Sequence, residues 1–209
     1  MHDIKNLVSQ LTLVTRNAER HADKPEFRTD MIATLQSSTM KMNDLLERLS
    51  QHNTGRAEEP RSVIIGPLVT QLAGTKRLQH PVIVAGNMAL CALADPVRLE
   101  GALGHLLQNA IDASDPCEPV TITVLKQGDE TGIEITDKGH GMTLDFIRGK
   151  LFRPFASTKD GGFGIGAFEA RAIITAMGGR IMVDSEPGQG TRIMIWLPTP
   201  ARWHEALVA

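Results

Sequence analysis

Ile133-Glu-Ile-Thr-Asp-Lys-Gly-His-Gly141 is a short β-rich run that ends in a carboxylate and two spaced glycines. Asp137 at a strand end can accept a proton from a ligand amine, and Gly139 and Gly141 let the backbone approach a flat ring. The plainer reading is a turn carboxylate that closes a strand. Upstream, Asp95 caps a helix, Pro96 fits its first turn, and Leu99, Leu103, Leu106 and Ala110 form its apolar face. His105, Asn109 and Asp112 recur on that helix at steps of four and three, so they share one polar face, which either lines a ligand or simply meets water. Downstream come Leu151 to Lys159, then Gly161-Gly-Phe-Gly-Ile-Gly166 ahead of an apolar helical stretch, then Gly188-Gln-Gly-Thr191. The last glycines join the β runs Arg180–Val183 and Thr191–Leu197, which predicts a hairpin closing the sheet.

Each segment alone is a weak signal; together they fit one ligand. ATP needs an acceptor for its adenine amino group, donors for its phosphates and an oxygen ligand for magnesium. Asp137 supplies the first, with Gly139 and Gly141 beside the ring. The backbone N–H groups between Gly161 and Gly166, at a helix N-terminus, supply the second. Lys159 adds a point charge there, although by itself it reads as a solvated surface lysine. Asn109 offers Mg2+ a neutral carbonyl oxygen.

The chain has 209 residues and is 42% apolar, enough for a core in one large or two small domains. Acidic and basic residues nearly cancel, 24 against 22, and are interspersed, so no basic stripe points to nucleic acid. Cys91 and Cys117 lack the spacing of a zinc site or a disulfide framework, which fits a reducing cytoplasm. No apolar run approaches the roughly 20 residues of a membrane span.

Residues 1–53 read as a helical hairpin. Ile4, Leu7, Leu11, Val14 and Ala18 form the seam of one helix; Asp23 to Glu26 make a break with a cap at Asp23. Met31, Leu35, Ser38, Met42, Leu45 and Leu49 form the second seam. Two such helices cannot enclose both seams, so the hairpin is expected to dimerise into a four-helix bundle. Residues 54–60 form a linker. Residues 61–200 form a mixed domain with β runs at Val82–Val84, Val120–Leu125 and Ile133–Thr136 besides the final pair, and 201–209 a tail.

The order of the glycine-rich segments resembles the N, G1, F, G2 and G3 boxes of the histidine kinase ATP-binding domain, within the family that includes gyrase and the Hsp90 chaperones. The opening His2-Asp-Ile-Lys-Asn6 looks like a histidine kinase dimerisation and phosphoacceptor hairpin. The stretch from Asn17 to Phe27 resembles the PrsK-type kinases of PEP-CTERM and exopolysaccharide systems. The resemblance implies a two-layer α/β sandwich of the histidine kinase/Hsp90/gyrase ATPase type after the hairpin. It also implies a nucleotide site drawn from His105, Asn109, Asp112, Asp137, Gly139, Gly141, Phe155, Lys159, Gly162, Gly164, Gly166 and Thr191. The glycines and lysine of Phe152 to Gly162 point to a lid, with a static, well-packed loop as the other reading.

With Ile4 and Leu7 on the seam, His2 falls at an outward position open to a γ-phosphate. Asp3 can hold the imidazole tautomer and act as base, and Asn6 can orient water for dephosphorylating a partner aspartate, as in family members with this motif. The expected activity is autophosphorylation from Mg-ATP, followed by transfer to a response regulator receiver domain.

Two departures stand out. His105 replaces a usual asparagine of the N box. Gly101 stands where the family carries an acidic or amide residue, which argues against a gyrase-like hydrolytic clamp. His2 is the second residue, so the chain is expected to be a truncated, cytoplasmic part of a kinase whose sensor and membrane segments precede it. A nucleotide-binding scaffold or response-regulator phosphatase without autokinase activity is the alternative.

Overall fold

A computed structural model describes residues 9, 12–18, 21, 23–53, 59–156 and 164–200, with the backbone alone over 40–53. The chain divides into two compact units, Met1–Arg56 and Ala57–Ala209.

In the first unit residues 12–18 are helical, and a turn at Asp23 leads into α1, Pro25–Asn53. Proline suits a first helical position because its missing N–H has no helical partner there anyway. The Lys24 carbonyl accepts from the Arg28 N–H at 3.1 Å, so Lys24 rather than Asp23 stands at the cap position. Thr29, Thr34 and Thr39 return their hydroxyls to the carbonyls of Pro25, Asp30 and Leu35. The inward face of α1 differs from the expected seam at one position: Phe27, Met31, Thr34 and Ser38 turn inward, whereas Leu35 is 38% exposed. The threonine methyl can occupy an apolar face while its hydroxyl is satisfied within the helix. The side chains of Met42, Leu45 and Leu49 and the first-helix positions Ile4, Leu7 and Leu11 lie outside the described residues. Among the described residues no helix is long and apolar enough to cross a membrane.

The second unit runs β1 (Arg61–Ile64), α2 (Ile65–Lys76), β2 (Val82–Gly86), β3 (Cys91–Ala94), α3 (Pro96–Ala113), β4 (Val120–Gln127), β5 (Glu130–Asp137), α4 (Leu144–Gly149), α5 (Gly166–Ala176), β6 (Arg180–Glu186) and β7 (Gly190–Pro198). β1 and β3 pair antiparallel as a small separate sheet. The main sheet has the order β2-β4-β5-β7-β6, parallel between β2 and β4 and antiparallel elsewhere, and β6-β7 is the expected hairpin. Alternate residues Ile122, Val124, Ile133, Ile135, Ile193 and Ile195 are buried in one core with Leu99, Leu103, Leu106 and Leu107 of α3 and Ile174 of α5. This is sheet packed on helices, each element burying one face.

The opposite sheet surface carries cross-strand ion pairs, Glu134 with Arg192 and Glu130 with Arg180. Arg180 also covers the ring of Trp196 at 5.5 Å. α3 starts as its sequence dictates: the Asp95 carboxylate accepts from the N–H groups of Val97 and Arg98 at 3.0 and 3.1 Å, with Pro96 following. Asp95→Ala is expected to cost about 1 kcal/mol through the lost cap, lowering the melting temperature of this unit by about 2–4 °C in a calorimetric scan.

Candidate functional site

β5 ends in Asp137, 95% buried, directly opposite Thr191 of β7. Its Oδ1 accepts from the Gly139 N–H at 2.8 Å and from the Thr191 N–H at 3.2 Å. Two donors from different segments fix the plane of the carboxylate, so its position is set before any ligand arrives. Gly139 lies against the end of α3. A β-carbon there would stand 2.2 Å from the Ala113 carbonyl oxygen, which also accepts from the His140 N–H at 3.2 Å. Gly190 has φ +92°, and a β-carbon on it would meet the Asp137 carbonyl oxygen at 2.1 Å. The two glycines thus let the β5 loop, the β6-β7 turn and the C-terminus of α3 close on one point.

Ser185 completes that junction, and no sequence motif marks it. Its hydroxyl donates to the Gly190 carbonyl at 2.8 Å, accepts from the Met142 N–H at 2.9 Å and lies 2.9 Å from Thr191 Oγ1. The Gly188 N–H bonds the His140 carbonyl at 2.8 Å, a second tie between the same two loops. Ser185→Ala leaves the Met142 N–H without this acceptor. Calorimetry is expected to show a stability loss of about 1–2 kcal/mol.

The polar face of α3 divides between two neighbours. His105 reaches α5, where its Nε2 lies 3.3 Å from Glu169 Oε2. Asp112 accepts from Gln108 Nε2 at 2.6 Å, and Gln108 in turn accepts from Lys76 Nζ of α2 at 2.7 Å. Asn109 lies between them, partly buried. His105, Asn109 and Asp112 are therefore on the face that the sequence places them on, and each is engaged within the protein.

Phe155 adopts φ +63°, unusual for a side-chain-bearing residue. Phe152 packs beneath the guanidinium of Arg171 of α5, 4.9 Å from the ring centre. Gly164, also at positive φ, has no room for a side chain: a β-carbon there would stand 2.6 Å from the Ala156 carbonyl oxygen. Gly166 opens α5. Lys159 and Gly162 lie outside the described residues, as do His2, Asp3 and Asn6. Among the described residues no group of three or more His, Cys, Asp or Glu could hold a metal ion.

A carboxylate fixed at the end of a sheet, two glycine loops closing on it and a polar helix face beside it match a known ATPase fold. Residues 94–201, just over half of the chain, match the model of the histidine kinase-, DNA gyrase B-, and HSP90-like ATPases, and the chain belongs to that family.

The curated relatives it matches include sensor proteins and sensor histidine kinases. The alginate biosynthesis sensor protein KinB of Pseudomonas aeruginosa is 29% identical over 212 residues, covering 94% of this chain and 35% of KinB. Sensor histidine kinase ZraS of Salmonella typhi is 31% identical over 210 residues, 96% of this chain and 44% of ZraS. The chain thus spans less than half the length of these relatives. The catalytic domain of histidine kinase ThkA shares the fold, with a TM-score of 0.63 at 24% identity, over 69% of this chain and 99% of that one. Full-length ShkA in complex with AMPPNP matches with a TM-score of 0.62 at 25% identity, over 84% of this chain and 39% of ShkA. The α/β sandwich expected from the glycine boxes is the fold observed.

Proposed function

We propose that the chain is the core of a sensor histidine kinase, which takes the γ-phosphoryl group of Mg-ATP onto His2 and passes it to an aspartate of a response regulator receiver domain. The observation that carries this reading is the buried Asp137 carboxylate, oriented by Gly139 and Thr191 beside the helix that bears Asn109.

In this reading Asp137 accepts a hydrogen bond from the adenine amino group, with Gly139 and Gly141 against the ring and Thr191 holding the acceptor in place. The N–H groups of Gly164 and Gly166 at the start of α5, with Gly162, receive the phosphates, and Lys159 adds charge. Phe155 is a further residue of this nucleotide site. The Asn109 amide oxygen would hold Mg2+. A single neutral protein ligand suits an ion bound mostly through phosphates and water. When bound, magnesium offsets charge on the transferring group.

Asp3 holds the His2 imidazole so that its other nitrogen attacks phosphorus, and Asn6 orients water in the reverse, dephosphorylating reaction. Leu35, on the seam read from the sequence, is an apolar side chain 38% exposed in the first unit that a second copy would cover, which supports a homodimer through the helical hairpin. Within the histidine kinases, the Asn17 to Phe27 stretch favours the PrsK type.

The test is to incubate the purified chain with ATP labelled at the γ-phosphate, with and without Mg2+, and to map any label by mass spectrometry. Magnesium-dependent, acid-labile and alkali-stable label on His2 is the expected result. Calorimetric ATP binding without label on any histidine would overturn the autokinase and leave a nucleotide-binding scaffold or phosphatase.

A further inference from the structure

We propose that His105 is a positioning residue for the nucleotide's phosphates, acting through Glu169 to hold the first turn of α5 against α3; this rests on the nucleotide reading above. The geometry is specific. The ring lies over Gly166, where a β-carbon would come within 3.3 Å of Nδ1 and 3.4 Å of Cγ, so the absence of a side chain at 166 seats the imidazole against the helix. From that seat Nε2 reaches the carboxylate of Glu169, in the first turn of α5, at 3.3 Å. One imidazole therefore spans the first turn of the helix that begins at Gly166.

Two consequences follow. His105 and Asn109 are one helical turn apart on α3, so this contact sets the spacing between the magnesium ligand and the amides at the head of α5. Arg171, two residues beyond Glu169, lies over Phe152, so α5 is held on a second side by the segment that leads into the loop. The second consequence is electrostatic. A carboxylate in the first turn of a helix is favourable for the helix but competes with an anionic ligand for the same N–H groups and the same positive end of the dipole. With Nε2 carrying the proton, His105 donates to Glu169 and keeps that carboxylate turned toward α3. The residue that departs from the family pattern thus acts on the phosphates through the protein.

The experiment is calorimetric titration of the full chain with Mg-ATP and with AMP, for the parent, His105→Ala, Glu169→Gln and the double variant. His105→Ala is expected to bind Mg-ATP about tenfold more weakly, since it removes a hydrogen bond to a charged group and releases a competing carboxylate. AMP binding is expected to stay within about twofold, because this tie serves the β- and γ-phosphates. Adding Glu169→Gln to His105→Ala is expected to recover only part of the lost Mg-ATP affinity, because it removes the competing charge but cannot restore the tie between the two helices. If the parent binds Mg-ATP but His105→Ala binds it equally well, or loses AMP in equal measure, or recovers in full when Glu169→Gln is added, the positioning role is overturned. If the parent itself binds no Mg-ATP, the nucleotide reading falls, and this inference with it.

Discussion

Asp137→Asn is expected to weaken ATP binding by about a hundredfold while leaving the second unit folded. The substitution keeps the shape of the side chain, and an asparagine Oδ1 can still accept from the Gly139 and Thr191 N–H groups that orient Asp137. What changes is the rest of the group: the charge is lost, and an N–H2 donor replaces the second carboxylate oxygen. In the proposed pose that donor faces the adenine amino group, itself a donor. Losing a charge-assisted bond and setting two donors together is worth about 3 kcal/mol, hence the factor. Calorimetric titration with Mg-ATP measures it, and a melting curve beside it separates lost recognition from lost fold. A variant that binds ATP as the parent does would show that Asp137 only closes the turn, the plainer reading open from the sequence.

Gly139→Ala is expected to damage stability and nucleotide binding together. Its new β-carbon would stand 2.2 Å from the oxygen and 2.5 Å from the carbon of the Ala113 carbonyl, both backbone atoms at the end of α3. Neither can rotate away, so the β5 loop or the helix end must move. Overpacking of this kind costs about 1–3 kcal/mol, which for a domain of this size lowers the melting temperature by about 3–10 °C. Displacing the Gly139 N–H also frees the Asp137 carboxylate to rotate, so ATP affinity is expected to fall as well. Gly149→Ala is the control, because a β-carbon there meets nothing within 4 Å. Equal melting temperatures for the two variants would refute the close approach.

Much of this site was legible because its signals are local. Asp95, Pro96 and the leucine spacing specify α3 within a few residues, and the structure starts the helix there. Asp137, Gly139 and Gly141 could be read together because a strand end and a loop lie side by side in the chain. What could not be read depends on partners far apart in sequence. Ser185 is an ordinary strand residue until the β6-β7 hairpin brings it to Met142 and Gly190. Glu169 carries no motif, and its tie to His105 exists only because α3 packs on α5.

β1, β3 and α2 were not identified for a different reason. The strands are only four residues long, too short for alternation to rise above chance, and α2 contains Gly66, Pro67 and Gly74, which weaken a helical pattern. Thr34 replacing Leu35 on the inward face of α1 shows the limit of a heptad reading, since a 3.6-residue helix drifts across a 3.5-residue template.

The division into two units gives the protein an internal spectroscopic contrast. The chain has no tyrosine, and its two tryptophans, Trp196 and Trp203, both belong to the second unit. Indole emission therefore comes entirely from that unit, with Trp196 buried beneath the Arg180 guanidinium, whereas far-ultraviolet dichroism sums α1 with the helices of the second unit. Chemical denaturation followed by both signals on one sample would show whether the helices and the sandwich melt as one cooperative body or as two.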